Sequence, residues 1–304
     1  MYFLRRVLFA IPLLLVISVL AFFLVHLAPG GPFDSDRKPA SPEIERNIKA
    51  KYHLDEPIWK QYGRYLGDLL HGDFGVSLKY RNHTVNDIIA QGLPVSMTLG
   101  GLAFAFAMAV GLPLGFFTAA RRGRWPDYLG SFIAVLSVCI PSFVIAPVLI
   151  LIFVMKLKWF PVALWESPWH MILPSIALGS YFVGKVARIL REGMLAAAQS
   201  EFVTAARAKG LGETTLLLKH VFRIALLPVV SYAGPMLADL LTGSFIIENI
   251  FQIPGIGIFF INSMLNRDYT MTLGLALLYA ILVIGLNLVV DFAYTLLDPR
   301  IKYE

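Results

Sequence analysis

Six stretches of the chain carry apolar runs on the scale of a bilayer crossing, which takes about 20 residues of helix. They run from Val7 to Ala28, Leu93 to Ala120, Tyr128 to Met155, Trp169 to Gly184, Ile224 to Ile247 and Tyr269 to Val290. In lipid every backbone polar group must be satisfied inside a helix or a closed barrel. No alternating pattern supports a barrel, so the expected class is an all-α polytopic membrane protein with six transmembrane helices. Composition agrees: charged residues are 15% and hydrophobic residues 57%, against about 25% charged in soluble proteins. A cytosolic or secreted enzyme is not the default reading. The net charge of +6 calls for no nucleic acid, because the basic residues gather in short loops, as membrane topology requires. Cys139, the single cysteine, sits in an apolar run, with no second cysteine for an internal disulfide and no metal-ligand pattern around it.

The first run follows Arg5 and Arg6, as a secretory signal would. Its apolar stretch is longer than a signal core and no small-x-small site follows, so it reads as a retained anchor. With the N-terminus inside, the short inner segments hold 14 basic residues and the short outer ones three, namely Lys156, Lys158 and Arg267. The inner set comprises Arg5, Arg6, Arg121, Arg122, Arg124, seven residues from Lys185 to Arg223, Arg300 and Lys302. That bias places both termini in the cytosol. Trp159, Trp165 and Trp169 then mark the outer interface and Trp125 the inner one.

The segment from Pro29 to Gly92 has the composition of a soluble protein, with nine basic and nine acidic residues. Ser41-Pro42-Glu43 reads as a helix start and His71-Gly72-Asp73-Phe74-Gly75 as a turn. This outer helical insertion is either a lid over helix ends or a docking surface for an extracytoplasmic partner. The division this suggests is 1–92, a first span with its outer region, and 93–297, a permease-like bundle with a cytosolic loop over about 185–223.

Within the spans, Ala103, Ala107, Gly111 and Gly115 form a small-residue stripe that lets another helix approach closely, inside the bundle or at a subunit interface. Pro12, Pro113, Pro141, Pro147, Pro174 and Pro235 interrupt the apolar runs. Asp239 falls inside the fifth span, where an acid costs roughly 2.5–3.5 kcal/mol on insertion scales. It is a candidate pathway residue, or a structural partner of Thr242 or Ser244. Glu248, at the outer end of that span, either meets a substrate amine or caps a solvated helix end. Asp291 reads as locally paired. The uncharged stretch from Asn249 to Asn266, broken at Pro254-Gly255-Ile256-Gly257, reads as an outer hairpin or a partly re-entrant piece.

No nucleotide-binding loop, zinc-protease motif or nucleophile elbow is present, and the histidines have no ligand spacing. The chain therefore has no catalytic or metal site to propose, and any coupling to ATP has to come from a partner. The absence of an evident inverted repeat argues against a stand-alone secondary transporter.

The inner segment from Lys185 to Arg223 holds Ser200-Glu201-Phe202-Val203-Thr204-Ala205-Ala206-Arg207-Ala208-Lys209-Gly210. Ser200 is placed to cap a helix, Glu201 lies in its first turn, Lys209 in its last, and Gly210 is the terminator. A short helix with an alanine face either fits a groove on another protein or lies on lipid headgroups.

This segment resembles the EAA loop of ABC importer permeases, whose coupling helix docks on an ATPase subunit. Thr204 stands where that family has a glutamate, and the proline that follows is Pro228 rather than residue 223. Further matches run along the chain: Leu27-Ala28-Pro29-Gly30, Lys51-Tyr52-His53-Leu54, Gly72-Asp73-Phe74-Gly75, Pro141-Ser142-Phe143, Ile247-Glu248-Asn249-Ile250-Phe251, Asn266-Arg267-Asp268-Tyr269 and Asp298-Pro299-Arg300-Ile301. Together they look like the B-type permeases of oligopeptide importers, with dipeptide and nickel permeases as near relatives. The resemblance implies a type I ABC importer permease fold in a bacterial inner membrane, working by alternating access. It implies three kinds of partner besides membrane lipid: a second permease, two cytosolic ATPase subunits that use ATP and magnesium, and an extracytoplasmic peptide-binding protein. It also implies a coupling helix carried by Glu201, Thr204, Ala205, Ala206, Arg207, Lys209 and Gly210.

Overall fold

A computed structural model describes residues 2–27, 55–80, 83–241 and 245–297. Among these, helices are the regular secondary structure, joined by short loops, apart from an isolated bridge between Val76 and Thr84. The helices are α1 (Tyr2–Leu27), α2 (Ile58–Leu70), α3 (Val85–Ala120), α4 (Trp125–Cys139), α5 (Ser142–Leu149), α6 (Pro168–Ala198), α7 (Glu201–Ala208), α8 (Phe222–Leu241), α9 (Phe245–Ile250), α10 (Ile256–Leu265) and α11 (Tyr269–Leu297). Two π-helical stretches, Ile150–Lys156 and Leu216–Val221, extend α5 and lead into α8. Five helices are long and apolar enough to cross a membrane, or six if the bent pair α4–α5 is one span.

Three expected spans change shape. The second begins at Val85 rather than Leu93, because Thr84 and Asp87 form a reciprocal capping box there; the division expected at 92/93 falls inside this helix. The third is not one rod. Ile140 (ψ 119°) and Pro141 (ψ 143°) are both extended, and the halves meet at 105°. Proline has no N–H to give and keeps the preceding residue out of the helical region. The fourth does not stop at Gly184: α6 continues to Ala198. Lys185, Arg188 and Arg191 therefore lie on a helix, and the inner loop starts at Gln199.

α6 is the central post, with α3, α4, α5 and α8 packed around it. The small stripe on α3 is internal. A Cβ on Gly111 would stand 2.9 Å from Val186, and one on Gly115 would stand 2.6 Å from the Ala187 carbonyl. α6 reciprocates with Gly179, whose Cβ would stand 2.6 Å from the Ala103 carbonyl. Close backbone approach replaces the hydrophobic drive that lipid does not supply. α1 stands at the edge against α11, with most of its apolar side chains exposed.

The segment between α1 and α3 holds a helix, α2, which begins at Ile58 after Pro57. Tyr62 on α2 reaches Ser18 of α1 at 2.9 Å and stacks edge-on against Phe22. Burial beneath it pushes the Tyr65 hydroxyl up to about 12. Ser41-Pro42-Glu43, Lys51-Tyr52-His53-Leu54, Thr242, Ser244, the Asp291 side chain and Asp298-Pro299-Arg300-Ile301 lie outside the described residues.

Candidate functional site

The knob formed by α7 is the first candidate. α7 follows α6 after only Gln199 and Ser200. Ser200 has the extended backbone of a cap, but its side chain does not cap α7. The hydroxyl donates back to the Ala197 carbonyl, closing the end of α6 instead. The terminator is as expected. Gly210 has φ +82°, its N–H donates to the Arg207 carbonyl at 3.0 Å, and the Leu211 N–H donates to the Ala206 carbonyl at 3.3 Å. That pair of bonds is the Schellman closure, and the left-handed residue it needs is glycine.

Val203 is the root of the knob: it is fully buried, in one cluster with Leu216 and Val221 of the following π-helical turn. Ala206 packs on the same cluster. Arg207 is tied to Glu213 at 2.7 Å, an exposed pair that sets geometry more than it stabilises. The outward surface consists of Glu201, Phe202, Thr204, Ala205, Ala208 and Lys209, all exposed. Phe202, 42% exposed, had no place in the sequence reading. Its signal was available: Phe202, Ala205 and Lys209 follow the i, i+3, i+7 spacing of one helix face, with the buried Val203 off to its side.

The two membrane acids are not brought together. Asp239 on α8 is exposed on the wall of a cavity of about 310 Å3, with Lys185, Tyr232, Pro235 and Asn287 beside it. Glu248 is the opposite case. It is fully buried, so the solvated helix end expected for it is not what forms. Its Oε2 accepts from the Gly257 N–H at 2.8 Å, while the Ile256 N–H donates to Ser96 on α3 at 3.0 Å. Glu248 thus closes the α9–α10 hairpin on itself and against α3. The glycines of Pro254-Gly255-Ile256-Gly257 are there for space: a Cβ on Gly257 would stand 2.8 Å from the Glu248 carboxylate.

Known proteins place this arrangement. The family described as the binding-protein-dependent transport system inner membrane component matches residues 111–303, and its N-terminal companion matches residues 1–100. The chain belongs to this family of ABC importer permeases. It is 46% identical to the oligopeptide transport system permease protein OppB of Haemophilus influenzae, over 98% of each chain. It is 44% identical to OppB of Escherichia coli, over 99% of each, and 42% identical to the dipeptide transport system permease protein DppB of Bacillus subtilis, over 95% of this chain and 94% of that one. Its fold is shared with a chain of the MetNI methionine ABC transporter in an inward-facing form, with a TM-score of 0.58 and 17% identity over 69% of this chain and 96% of that one.

Two polar clamps in the permease escaped the sequence reading. Asp127 at the start of α4 takes a two-pronged contact from Arg191 on α6, at 2.8 and 3.1 Å, and also accepts from the Gly123 N–H at 3.0 Å. This ties the start of α4 to the C-terminal part of α6. At the start of α11 Asp268 is fully buried and caps that helix through the Met271 N–H at 3.1 Å. It also accepts from the Ser77 hydroxyl and from the N–H groups of Leu78 and Lys79. The Asn266-Arg267-Asp268-Tyr269 segment therefore holds the loop that leads into α3. Nothing local in the sequence announces either contact, since the partners are 64 and about 190 residues apart.

Proposed function

We propose that this permease forms half of the translocation pathway of an ATP-driven importer of oligopeptides, beside a second, homologous permease. Two separate cytosolic ATPase subunits supply the energy, using ATP and magnesium that this chain does not bind, and an extracytoplasmic protein delivers the peptide. The chain sits in a bacterial inner membrane with both termini in the cytosol. It has no catalytic role of its own. Asp239 lines the pathway, and Glu248 acts on it through the hairpin it closes.

The observation that carries this reading is the α7 knob. Its inner face is anchored by Val203, its C-terminus is fixed by Gly210, and its outer face presents Phe202, Ala205 and Lys209 with nothing among the described residues covering them. A helix seated on an exposed groove in the ATPase transmits closure of that subunit to the bundle as a rigid-body shift.

The test is co-purification with the ATPase subunits. Ala205→Arg puts a long charge on the outward face without touching the buried anchor. Gly210→Pro removes the left-handed stop, which proline cannot adopt. Both are expected to lose the ATPase subunits while the two permeases stay together. Retention of the subunits and of peptide-stimulated hydrolysis in Ala205→Arg would show that the knob docks elsewhere. The 42% identity to a dipeptide permease keeps dipeptides as a second substrate class. Competition between di-, tri- and pentapeptides for uptake separates the two.

A further inference from the structure

α6 is largely buried, yet one stripe of it is polar. Tyr181, Lys185, Arg188 and Glu192 recur at i, i+4, i+7 and i+11, and none of the four is buried. α8 carries a matching stripe of Ser231, Tyr232, Pro235 and Asp239, again unburied. The stripes meet at the cavity of about 310 Å3 that Asn287 of α11 completes. A cation and an acid on membrane helices are costly toward lipid, and they collect where water or a ligand meets them.

The lysine is also held in place. A lysine side chain is long enough to carry its charge toward an interface. Here the ammonium stands 4.5 Å from the centre of the Tyr181 ring and 5.7 Å from that of Tyr232. Two aromatic faces bracket the charge and keep it at the cavity. The volume is at the low end of pockets that hold small organic ligands, roughly 300–1,000 Å3.

We propose that Lys185 and Asp239 form a peptide-end site on the pathway wall, Lys185 meeting the terminal carboxylate and Asp239 the terminal ammonium. This rests on the peptide-importer reading given above. Every unmodified peptide carries one carboxylate and one ammonium, whatever its side chains. A wall that reads those two charges, with tyrosine hydroxyls beside them, accepts many sequences and still rejects apolar solutes. Charge-assisted hydrogen bonds to fixed ends are the strong kind, and the flanking rings leave side-chain identity unread.

The complete importer, reconstituted in vesicles, tests this with trialanine, trialanine amide and N-acetyl-trialanine as probes. The affinity of the binding protein for each probe is measured separately, and uptake is compared only at saturation. Wild type is expected to take up free trialanine about tenfold faster than either blocked form, the size of one lost charged hydrogen bond. Lys185→Met is expected to abolish the preference over the amide and keep the preference over the acetylated form; Lys185→Arg retains both. Asp239→Asn, which hardly alters shape, is expected to do the reverse. No ATP-driven uptake of any peptide by wild type would instead overturn the importer reading itself. Equal uptake of free and blocked peptides by wild type overturns the peptide-end site alone. So does a variant that slows all three probes by one factor, the signature of an ion pair with the second permease. If Lys185→Met does not assemble, the Asp239→Asn result decides.

Discussion

Asp268 accepts four hydrogen bonds from two distant parts of the chain while fully buried. Removing the carboxylate strands two buried donors, the Ser77 hydroxyl and the Met271 N–H, at about 1–3 kcal/mol for each one left unpaired. Asp268→Ala is expected to lower the melting temperature of the purified permease pair and to expose the 73–80 loop to protease. Asp268→Asn, which keeps one acceptor oxygen, is expected to fall between the two. A melting curve unchanged by Asp268→Ala would mean that the loop is held by other contacts. The Asp127–Arg191 contact is of the same kind but nearer water, since the guanidinium group keeps 28% exposure. Its loss therefore costs less than the ~3–5 kcal/mol of a fully buried pair. Asp239 was legible as an acid out of place in a membrane run. Lys185 was not, because a span that ends at Gly184 leaves it in a loop, where a lysine needs no explanation.

Among the elements, α7 is the most completely written in its own sequence. Its acidic first turn, glycine stop and length are local properties, and local properties are what a sequence displays. Which alanine faces outward is not local: Ala206 turns inward because Val203 is seated on the Leu216–Val221 turn. The α9–α10 hairpin shows the same division. Its break at Pro254-Gly255 was readable, but Glu248 as its internal tie was not. Gly257→Ala tests the tie. The added methyl group meets both the Glu248 carboxylate and the Phe245 backbone at 2.8 Å, an overpacking that costs about 1–3 kcal/mol. Reduced uptake together with faster cleavage between α9 and α10 is the expected outcome, with ATPase binding retained. A variant as stable and active as wild type would remove the hairpin from the transport path.

For the whole molecule, charge placement gives an expected topology, with both termini in the cytosol, that is directly measurable. In a Cys139→Ser background, Trp159→Cys is expected to react with a membrane-impermeant maleimide in intact cells. Arg122→Cys is expected to react only after permeabilisation. Both positions are exposed, so the opposite pattern would invert the orientation of every span. The bent α4–α5 pair matters at this scale too. A 105° turn keeps α5 from crossing as a straight continuation of α4, and it brings α5 back against α6 and α9.

Hydrophobic run length, loop charge and helix punctuation are set residue by residue, so the sequence alone determined the membrane class, the order of spans and the presence of the short α7 helix. Tertiary structure decided the rest: which proline breaks a helix, which glycine meets a neighbouring backbone, and which acid is buried as a clamp while another stays exposed on a cavity wall. Those outcomes depend on groups tens to hundreds of residues apart competing for one place. Burial and hydrogen bonding assign that place only once the helices have packed.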